Sequence, residues 1–590
     1  MKTPVMVSWF LATTGIMGIG TAAGAFADET SDRPVVRTEL GTKLDEYLTR
    51  LADLGFSGSV LAAKDGSVIL SKGYGFADRQ TGRPVTPATV LPIGSITKQF
   101  TGAAILKLEM QGKLKVEDPI TKFFKDVPPD KAGITLHQLL THTAGLECDY
   151  GTSDFEEVSR DEIIQRAMSG PLRSAPGGQH HYSNAGYSLL GAIVELVSGQ
   201  SYEAYLRENL FKPAGMPDTG YKLPNWSSDR IAQGYRGGER WGTILERPWA
   251  ADGPYWNLRA NGGIHSTIGD MYKWHLALEG DSVLSAEAKK KYFAPHVDEG
   301  SGDSFYGYGW VTWTAPHRPR VSHNGGDGIF MADFRRYKDN GVVILGMSND
   351  ADLHFIRVAP LLERIVFGDE YSMPPKVAKI DPKVLDRYAG TYALSSGGKF
   401  VASAEGSRLA LRPDGQDAFS LLFAGEQVDP QVAADLNERS GRIVQEGARG
   451  NFRPVHEAFG GRMPLGRIEA MEREMWEQRR QMFGRYKDCQ VLGTIPARDG
   501  VLSTTVRLDF ADRSVFNKFQ WRKGVLAGID AEPNAAPETL VPLSETEFVS
   551  FELGSGMSTE IRFEVGADGR ATALTLKGKT GPVRAAKAPN

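Results

Sequence analysis

Residues 92–100 contain a serine and a lysine three positions apart, Ser95 and Lys98, where an apolar helix is expected to begin. Residues at this spacing lie on one face of a helix. A serine hydroxyl becomes a good nucleophile when a neighbouring group takes its proton, and a lysine can take it only when neutral. Burial near a helix N-terminus favours that neutral form. The pair predicts a serine nucleophile with a lysine base, although such a short motif also arises by chance.

Two further stretches carry polar residues that could join this pair. Tyr182 and Asn184 lie two positions apart in a loop that enters a helix, and they point the same way if the backbone there is extended. His323, Gly325 and Gly326 lie on an expected strand, whose glycines permit close approach by a ligand. Each stretch taken singly is more typical of a packed tyrosine or of a turn histidine than of a functional site.

The elements needed to position these residues can be traced along the chain. Residues 43–54 are amphipathic, and residues 59–70 have the pattern of two strands joined by an Asp-Gly turn. The helix after Ser95 is expected to be buried and to end at Gly112, and residues 341–347 suit a central strand. We therefore expect a sheet packed against helices.

Composition limits the classes of function. The chain has 590 residues, which suggests two to four domains, and its net charge of -4 without any Lys/Arg-rich run argues against nucleic-acid binding. Residues 1–27 resemble a secretory signal that ends in Ala25-Phe26-Ala27, so we expect export to the periplasm or medium. No later stretch is long and apolar enough to suggest an integral membrane segment.

Histidine and cysteine patterns give no sign of a metal centre. His137 and His142 are five positions apart, which does not place two imidazoles on one helix face, so we expect structural roles for both. Cys148 and Cys489 have no neighbouring Cys/His ligand pattern and are expected to be buried thiols in different domains. We predict no metal and no cofactor.

The three stretches, in the order Ser-x-x-Lys, Tyr-x-Asn and His-x-Gly, resemble the motifs of the penicillin-binding protein and class C β-lactamase-like serine hydrolases. The resemblance covers residues of about 45 to 368. It extends to flanking segments at residues 134–146, 182–199, 260–267 and 306–310. It implies an α/β (α+β) catalytic domain of the β-lactamase/transpeptidase type, with an antiparallel sheet flanked by helices and an all-helical part.

The resemblance also implies a role for each motif residue. Ser95 would attack an acyl carbon and form an acyl-enzyme, which water or another nucleophile resolves. Lys98 and Tyr182 would share proton handling, with either as the formal base, and Tyr182 would protonate the leaving group. Asn184 would hydrogen-bond a substrate amide. The N–H groups of Ser95 and Gly326 would form an oxyanion hole, worth about 3 kcal/mol per donor.

The third motif departs from the usual family pattern. β-Lactamases and transpeptidases of this kind usually carry Lys-Thr-Gly where this chain has His323-Asn324-Gly325. That lysine is a fixed cation for a substrate carboxylate, whereas histidine is mostly neutral near pH 7. His-x-Gly resembles the D-aminopeptidase and related peptidase or esterase branch. We assign His323, Gly325 and Gly326 to substrate binding there.

Beyond the hydrolase domain, predicted at residues 28–368, a linker is expected at 369–380. Residues 381–424 and 540–590 resemble the lipocalin-like β-domain often appended to these hydrolases. An α+β insert is predicted at 425–539, with an amphipathic helix on which Ile468, Met471, Met475 and Met482 form an apolar stripe typical of core. We find no catalytic motif in this part.

Four functions remain open from the sequence. The preferred one is an exported serine peptidase or amidase acting on short peptides, including D-residue-containing, peptidoglycan-derived or linearised cyclic peptides. An esterase on short-chain acyl esters is the nearest alternative, because the same machinery cleaves both. A β-lactamase or DD-carboxypeptidase is a third. A non-catalytic binding or sensor protein is the fourth, against which the intact Ser95, Lys98, Tyr182 and Asn184 argue. The expected partner is a small peptide or ester, and the oligomeric state is open.

Overall fold

The computed structural model describes residues 33–589, except 152, 406–407, 462–463, 498–499, 533–538, 552, 554–557 and 580. The chain divides into two compact units, one with residues up to 45 and 56–362, the other with 46–55 and 363–590. The signal predicted at residues 1–27 lies outside the described residues. Within them, no helix is long and apolar enough to cross a membrane.

The first unit is built on an antiparallel sheet of nine strands in the order β1-β3-β2-β15-β14-β13-β12-β11-β10. Six further short strands pair two by two, β4 with β5, β6 with β9 and β7 with β8. In chain order the strands are β1 (Val35–Val36), β2 (Gly58–Lys64), β3 (Ser67–Tyr74), β4 (Phe76–Asp78), β5 (Arg83–Pro84), β6 (Leu91–Pro92), β7 (Gly234–Arg236), β8 (Glu239–Gly242), β9 (His265–Ser266), β10 (Val297–Asp298), β11 (Ser304–Tyr306), β12 (Val311–Trp313), β13 (Arg320–Gly326), β14 (Met331–Tyr337) and β15 (Val342–Ser348).

Ten α-helices accompany these strands in the described part of the chain. The chain passes from the first unit to the second within the first helix, returns after residue 55, and passes to the second unit again within the tenth. They are α1 (Thr38–Asp53), α2 (Thr97–Met110), α3 (Leu136–Leu140), α4 (Arg160–Ser169), α5 (Asn184–Ser198), α6 (Tyr202–Leu206), α7 (Lys212–Ala214), α8 (Ile268–Glu279), α9 (Ala286–Phe293) and α10 (Phe355–Phe367).

Local sequence signals correctly predicted several of these elements. The β2–β3 hairpin turns at Asp65 and Gly66, whose φ angles of 51° and 78° suit the Asp-Gly dipeptide. Strand β15 is buried along its whole length and pairs with β2 and β14, as expected for an apolar run. Helix α2 is followed by Gly112 in the left-handed conformation, the expected stop. The antiparallel sheet with flanking helices confirms the predicted fold class.

The second unit contains a closed barrel of eight strands, in the order β16-β17-β18-β23-β24-β25-β26-β27, and a separate antiparallel sheet, β19-β20-β21-β22. The strands are β16 (Gly390–Ala393), β17 (Lys399–Glu405), β18 (Arg408–Asp414), β19 (Tyr486–Pro496), β20 (Val501–Phe510), β21 (Ser514–Arg522), β22 (Val525–Glu532), β23 (Thr539–Pro542), β24 (Glu547–Phe551), β25 (Ser558–Val565), β26 (Ala571–Gly578) and β27 (Gly581–Lys587). The helices are α11 (Gln416–Ala424), α12 (Pro430–Ala448), α13 (Arg453–Ala458) and α14 (Leu465–Phe483).

The barrel agrees with the predicted β-domain, and the sheet β19–β22 is inserted in sequence between its third and fourth strands. Apolar side chains fill the barrel, among them Phe400, Leu411 and Phe563. A second apolar cluster joins the inserted helices to the four-stranded sheet. The exact domain boundaries given above stay predictions.

The apolar stripe predicted for α14 was wrong at two positions. Ile468 is buried, but Met471 and Met482 are 55% and 62% exposed. The face of α14 that packs into the core also carries Trp476, which lies in the same cluster as Ile468. The helix is therefore rotated towards Trp476, and Met471 and Met482 lie at the margin of the buried face.

We expect Phe100→Ala to destabilise the first unit. Phe100 is fully buried, with ring centroids 5.0 Å from Phe211 and 4.9 Å from Trp274. Removing such a ring leaves a cavity and lowers the free energy of unfolding by about 3–5 kcal/mol. Denaturant titration of the full chain, with hydrogen exchange of peptides from the first unit, measures this loss. The control Leu196→Ala, at a position 47% exposed, should change it by less than about 0.5 kcal/mol. Equal losses in both variants would contradict the packing described.

Candidate active site

Ser95 lies in a tight turn between strand β6 and helix α2. Residues Gly94–Ile96 form one turn of 3₁₀ helix, and α2 begins directly after it at Thr97. Gly94 has a φ of 51°, and a Cβ atom there would lie 2.3 Å from the backbone nitrogen of Gly326. Only glycine permits this close approach, which holds the serine turn against the end of strand β13.

The amine of Lys98 is the centre of the polar network. The residue is fully buried on α2, and its Nζ lies 3.1 Å from the Oγ of Ser95. Its other two partners are the Oδ1 of Asn184 and the carbonyl oxygen of Asn261, both at 2.8 Å. Asn184 is the first residue of α5, and the side chain of Asn261 is itself held by the Oγ of Ser188 at 2.9 Å. Three separate parts of the chain thus meet at one nitrogen.

Burial lowers the pKa of Lys98 to about 7, against the opposing effect of Cys148 and Asp154. Near neutral pH a large fraction of the amine is therefore uncharged. A neutral amine has two N–H bonds and one lone pair, which match two carbonyl-type oxygens and one hydroxyl proton. Lys98 can donate to Asn184 and Asn261 while accepting the proton of Ser95, which is the geometry of a general base.

Tyr182 completes the group around the serine. Its ring centroid lies 4.7 Å from the Nζ of Lys98, and its hydroxyl is near enough to the side chain of Ser95 for Ser95 to affect the pKa of the phenol. Burial raises the pKa of the Tyr182 phenol well above its ordinary value, even though the contact with Ser95 lowers it. The phenol therefore stays protonated near neutral pH. It can donate a proton but is a poor candidate for the resting base.

Both histidines expected to be structural are found in packing roles. His142 is buried, with its ring centroid 4.3 Å from that of Tyr182, and its Nδ1 accepts the N–H of Ser183 at 3.1 Å. Burial holds the pKa of His142 well below its usual range. His137 pairs its Nδ1 with the hydroxyl of Tyr308 at 2.8 Å. His142 therefore supports the Tyr182 ring as an uncharged group.

The third motif passes directly beside the nucleophile. A Cβ atom at Gly325 would lie 2.5 Å from the backbone nitrogen of Ser95 and 2.2 Å from the carbonyl oxygen of Ile93. Strand β13 and the serine turn are thus in backbone contact, and a larger residue at Gly325 would separate them. This close approach suits an oxyanion hole formed by the N–H groups of Ser95 and Gly326, which stays a prediction.

His323 does not line the cleft over Ser95 and contacts Tyr306 instead. The side chain is buried, its Nδ1 lies 2.5 Å from the carbonyl oxygen of Asn324, and its Nε2 lies 2.9 Å from the hydroxyl of Tyr306. A carbonyl can only accept, so Nδ1 donates and Nε2 accepts from the tyrosine. Burial, followed by the Lys98 charge, lowers the pKa of His323 to about 3. His323 is therefore neutral and provides no cation for a substrate.

A cleft opens over Ser95 and encloses about 440 Å³, part of it open to solvent. It combines backbone from the serine turn and β13 with acidic, amide and apolar side chains. Its lining residues are Pro92, Gly94, Ser95, Asp154, Phe155, Asn184, Ile244, Leu258, Asn261, Gly262, Gly263, Gly326, Asp327 and Phe330.

The sequence predicted most of the residues that meet at this site, but it did not predict several residues that line the cleft. Ser95, Lys98, Tyr182 and Asn184 do meet in space, whereas His323 does not line the cleft. Asn261 lies in a segment that supported the resemblance, but its carbonyl role has no sequence signal. Asp154 and Asp327 had none either, because loops bring them to the cleft. In the described ranges, no group of three His, Cys, Asp or Glu side chains could hold a metal ion.

Comparison with known proteins gives matches over most of the chain. A family model described as Beta-lactamase matches residues 45–364. Penicillin-binding protein 4* of Bacillus subtilis (strain 168) is 30% identical over 395 residues, which are 63% of this chain and 87% of that protein. The putative penicillin-binding protein PbpX of the same strain is 30% identical over 276 residues, 47% of this chain and 68% of that one.

One solved structure extends the similarity into the second unit. It is the octameric penicillin-binding protein homologue from Pyrococcus abyssi, which aligns with a TM-score of 0.52 and 20% identity. The alignment covers 93% of this chain and 100% of that chain. At this identity it shows a shared fold.

The lowered pKa of Lys98 predicts a specific pH profile. We expect kcat/KM for an activated ester to rise with pH through about 7 and then level off, because only neutral Lys98 can accept the Ser95 proton. The carboxylate of Asp154 raises the pKa of Lys98, so Asp154→Asn should move the rising limb to lower pH. Initial rates measured from mildly acidic to alkaline pH locate the limb in each variant.

Asp161→Asn is the matched control for this charge removal. Asp161 has a side chain that is 93% exposed, and the limb should stay in place. A limb that moves to higher pH in Asp154→Asn, or that moves equally in both variants, would contradict the assignment of Lys98 as the titrating base.

Proposed function

The chain belongs to the beta-lactamase family and is a serine hydrolase, and from this we propose that it cleaves amide bonds of short peptides through an acyl-enzyme on Ser95. The observation that carries the proposal is the 3.1 Å contact between the Oγ of Ser95 and the Nζ of Lys98, an amine whose pKa burial lowers to about 7. This pairing supplies both a nucleophile and its base near neutral pH.

The proposed reaction proceeds in two halves. The Oγ of Ser95 bonds to the carbonyl carbon, its proton passes to the Nζ of Lys98, and the carbonyl oxygen becomes an oxyanion near the N–H groups of Ser95 and Gly326. The tetrahedral species collapses as the C–N bond breaks, and the leaving nitrogen takes a proton from Tyr182, which Lys98 replaces. Water then adds to the ester and loses a proton to Lys98. The bond between the acyl carbon and the Oγ of Ser95 breaks, Lys98 returns that proton to Oγ, and the acid is released. The sum is hydrolysis of one amide bond.

A protonated Tyr182 makes amides possible substrates, in addition to esters. An amine leaves as an unstable anion unless it is protonated, whereas an activated phenolate leaves unaided. The phenol of Tyr182 lies near Ser95 and, with its raised pKa, holds the required proton. Activated esters would still be cleaved, because Ser95 and Lys98 supply all that acylation by such an ester needs.

The surroundings of His323 argue against substrates that need a fixed cation. Penicillins carry a carboxylate, and the relatives from Bacillus subtilis are named as penicillin-binding proteins. In this chain His323 is neutral, buried and hydrogen-bonded to Tyr306. We therefore propose peptides, including those with D-residues or from opened cyclic peptides, ahead of β-lactams or a free D-Ala-D-Ala end. Export to the periplasm or medium, inferred from residues 1–27, is part of this proposal.

Ser95→Ala should abolish both turnover and covalent labelling. We expect the wild-type chain, lacking residues 1–27, to hydrolyse aminoacyl anilides of one or both stereochemistries and a short nitrophenyl ester. It should turn over a chromogenic cephalosporin or a D-Ala-D-Ala peptide poorly. A fluorophosphonate should add its mass at Ser95. The control Ser169→Ala removes the hydroxyl of an exposed serine on α4 and should change neither result.

Three outcomes of this panel are decisive. Turnover that survives Ser95→Ala on every substrate would exclude the acyl-enzyme. No turnover and no label in the wild type would favour a binding or sensor protein. A fast cephalosporin reaction would overturn the argument from His323.

Tyr182→Phe should separate amide from ester hydrolysis. Loss of the proton donor is expected to lower kcat for an anilide by roughly 10²–10⁴-fold, while a nitrophenyl ester falls much less because its phenolate needs no proton. Steady-state kinetics on both substrates measure the difference. The control Tyr255→Phe removes a hydroxyl from a tyrosine that does not line the cleft and should affect neither. Equal losses on both substrates would show that Tyr182 acts before the leaving group departs.

A further inference from the structure

The carbonyl oxygen of Asn261, which accepts a hydrogen bond from Lys98, belongs to a short turn that one phenol holds from both sides. Asn261 lies between Ala260 and Gly262, and the hydroxyl of Tyr221 bonds to the backbone of both neighbours. We propose that Tyr221 is a positioning residue for Lys98, because its hydroxyl keeps the turn in the conformation that presents the Asn261 carbonyl to the amine. The part of Lys98 as the base is that of the proposed function, on which this inference rests.

The hydroxyl of Tyr221 uses both of its hydrogen-bonding capacities on this turn. It accepts the backbone N–H of Ala260 at 3.0 Å and donates to the carbonyl oxygen of Gly262, also at 3.0 Å. A protonated phenol can do both at once. Burial raises the pKa of Tyr221 above its ordinary value, so the phenol keeps its proton near neutral pH. The backbone on both sides of Asn261 is therefore fixed to one oxygen atom.

The turn needs such a restraint because its backbone is strained. Ala260 has a φ of 71°, in the left-handed region that residues with a Cβ atom rarely adopt. A conformation of this kind costs energy and persists only where surrounding contacts impose it. Ala260 is fully buried, and a Cβ atom at Gly191 would lie 2.4 Å from its own Cβ, so the packing around it is close. Without the two bonds to Tyr221, we expect the turn to relax away from this conformation.

A second hydroxyl ties the turn to the helix that carries Lys98. Thr101 lies on α2 three residues after Lys98, and its Oγ1 donates to the carbonyl oxygen of Ala260 at 2.6 Å. The hydroxyl of Tyr202 lies 2.6 Å from the same Oγ1. Residues three positions apart are neighbours on a helix surface. The turn is therefore attached to α2 next to Lys98, and its position relative to the amine depends on its own conformation.

Tyr221 is itself held in place by its backbone and its ring. The backbone N–H groups of residues 221–223 donate to one carboxylate oxygen of the buried Glu203, at 2.6, 2.9 and 2.9 Å. The ring centroid of Tyr221 lies 6.0 Å from that of Tyr202 and 6.0 Å from that of Trp249. Because the phenol is fixed independently of the turn, it can impose a conformation on the turn.

Tyr221→Phe tests the inference, since it removes the hydroxyl and keeps the buried ring. We expect it to lower the rate constant for acylation by nitrophenyl acetate roughly tenfold to hundredfold, because a displaced carbonyl no longer orients the amine of Lys98 towards Ser95. The dissociation constant of the ester should change much less, because an acetyl group makes few contacts with the cleft wall. Stopped-flow release of nitrophenolate over a range of ester concentrations gives both constants.

Tyr235→Phe is the matched control for the loss of a buried hydroxyl. Tyr235 is a buried tyrosine of the same unit, and its hydroxyl accepts the backbone N–H of Arg79 at 2.7 Å. Both variants lose a hydrogen bond to backbone, so thermal unfolding should show a lower melting temperature for each. Only Tyr221→Phe should lose acylation rate. Equal rate losses in the two variants would overturn the positioning role in favour of a general loss of stability.

Ala260→Gly should rescue Tyr221→Phe. Glycine adopts a positive φ without the cost that alanine bears, so the turn can keep its conformation without the phenol. We expect the double variant to acylate roughly fivefold or more faster than Tyr221→Phe. The same change in the wild-type background should give no such gain, because the phenol already holds the turn. A rate loss that glycine does not reverse would overturn the positioning role.

Thr101→Val and Thr101→Ser test the turn without changing Tyr221. Valine has the size of threonine but no hydroxyl, so Thr101→Val should lower the acylation rate, whereas Thr101→Ser keeps the donor to Ala260 and should retain most of it. Circular dichroism shows whether each variant is folded. If Tyr221→Phe does not fold, this pair decides whether the turn positions the amine. Equal rates in the two Thr101 variants would contradict the inference.

Crystal structures of the variants separate this inference from the proposed function. In Tyr221→Phe the Asn261 carbonyl oxygen should move out of hydrogen-bond distance from the Nζ of Lys98, which lies 2.8 Å away in the wild type, and it should return in Tyr221→Phe/Ala260→Gly. An unmoved carbonyl, or a moved one with a full acylation rate, would overturn the positioning role and leave the acyl-enzyme proposal standing. A wild-type chain without turnover would overturn the hydrolase proposal, and the carbonyl positions would still decide the role of Tyr221.

Discussion

The buried amine of Lys98 is the group on which the rest of the site depends. An amine removed from water needs polar partners, and it receives them from Ser95, Asn184 and the carbonyl of Asn261. These partners come from the serine turn, the start of helix α5 and the loop before strand β9. The single nitrogen of Lys98 therefore connects three parts of the fold. The same desolvation lowers the pKa of Lys98 to about 7. Burial therefore has two effects: it makes the hydrogen bonds to Lys98 necessary, and it lowers the pKa of the amine so that part of it is uncharged near pH 7.

A layer of uncharged rings surrounds that amine. Burial raises the pKa of Tyr182 and Tyr306 and lowers that of His142 and His323, so phenols and imidazoles alike stay neutral near pH 7. Because these neighbours are uncharged, they add no charge that would shift the pKa of Lys98. The fixed charge that faces the cleft then comes from Asp154 and Asp327. Proton transfer is thus assigned to Lys98 and Tyr182, which are distinct from the charged residues that line the cleft.

Local patterns predicted the elements whose cause is local. The Asp65-Gly66 turn, the apolar strand β15 and the stop after helix α2 follow from turn chemistry and hydrophobic period, and all three are present. Elements whose burial depends on a distant partner were less predictable. The face of helix α14 is set by docking against the sheet β19–β22, which leaves Met471 exposed although the pattern predicted it in the core. Loop residues such as Asp154 lie in segments without a hydrophobic period, so the sequence did not predict that they line the cleft.

The sequence by itself determined which groups we propose to react and their order, because Ser95, Lys98, Tyr182 and Asn184 are specified by residue type and short spacing. It therefore determined the class of chemistry. Only the tertiary structure decided how these groups behave, since a pKa depends on desolvation and on charges that reach through space. Lys98 meets Asn184 and Asn261 across sequence separations of 86 and 163 residues, and the Nε2 of His323 pairs with the hydroxyl of Tyr306. No local pattern predicts such contacts. The tertiary structure determines the pKa of Lys98, the uncharged state of His323 and the acidic residues that line the cleft.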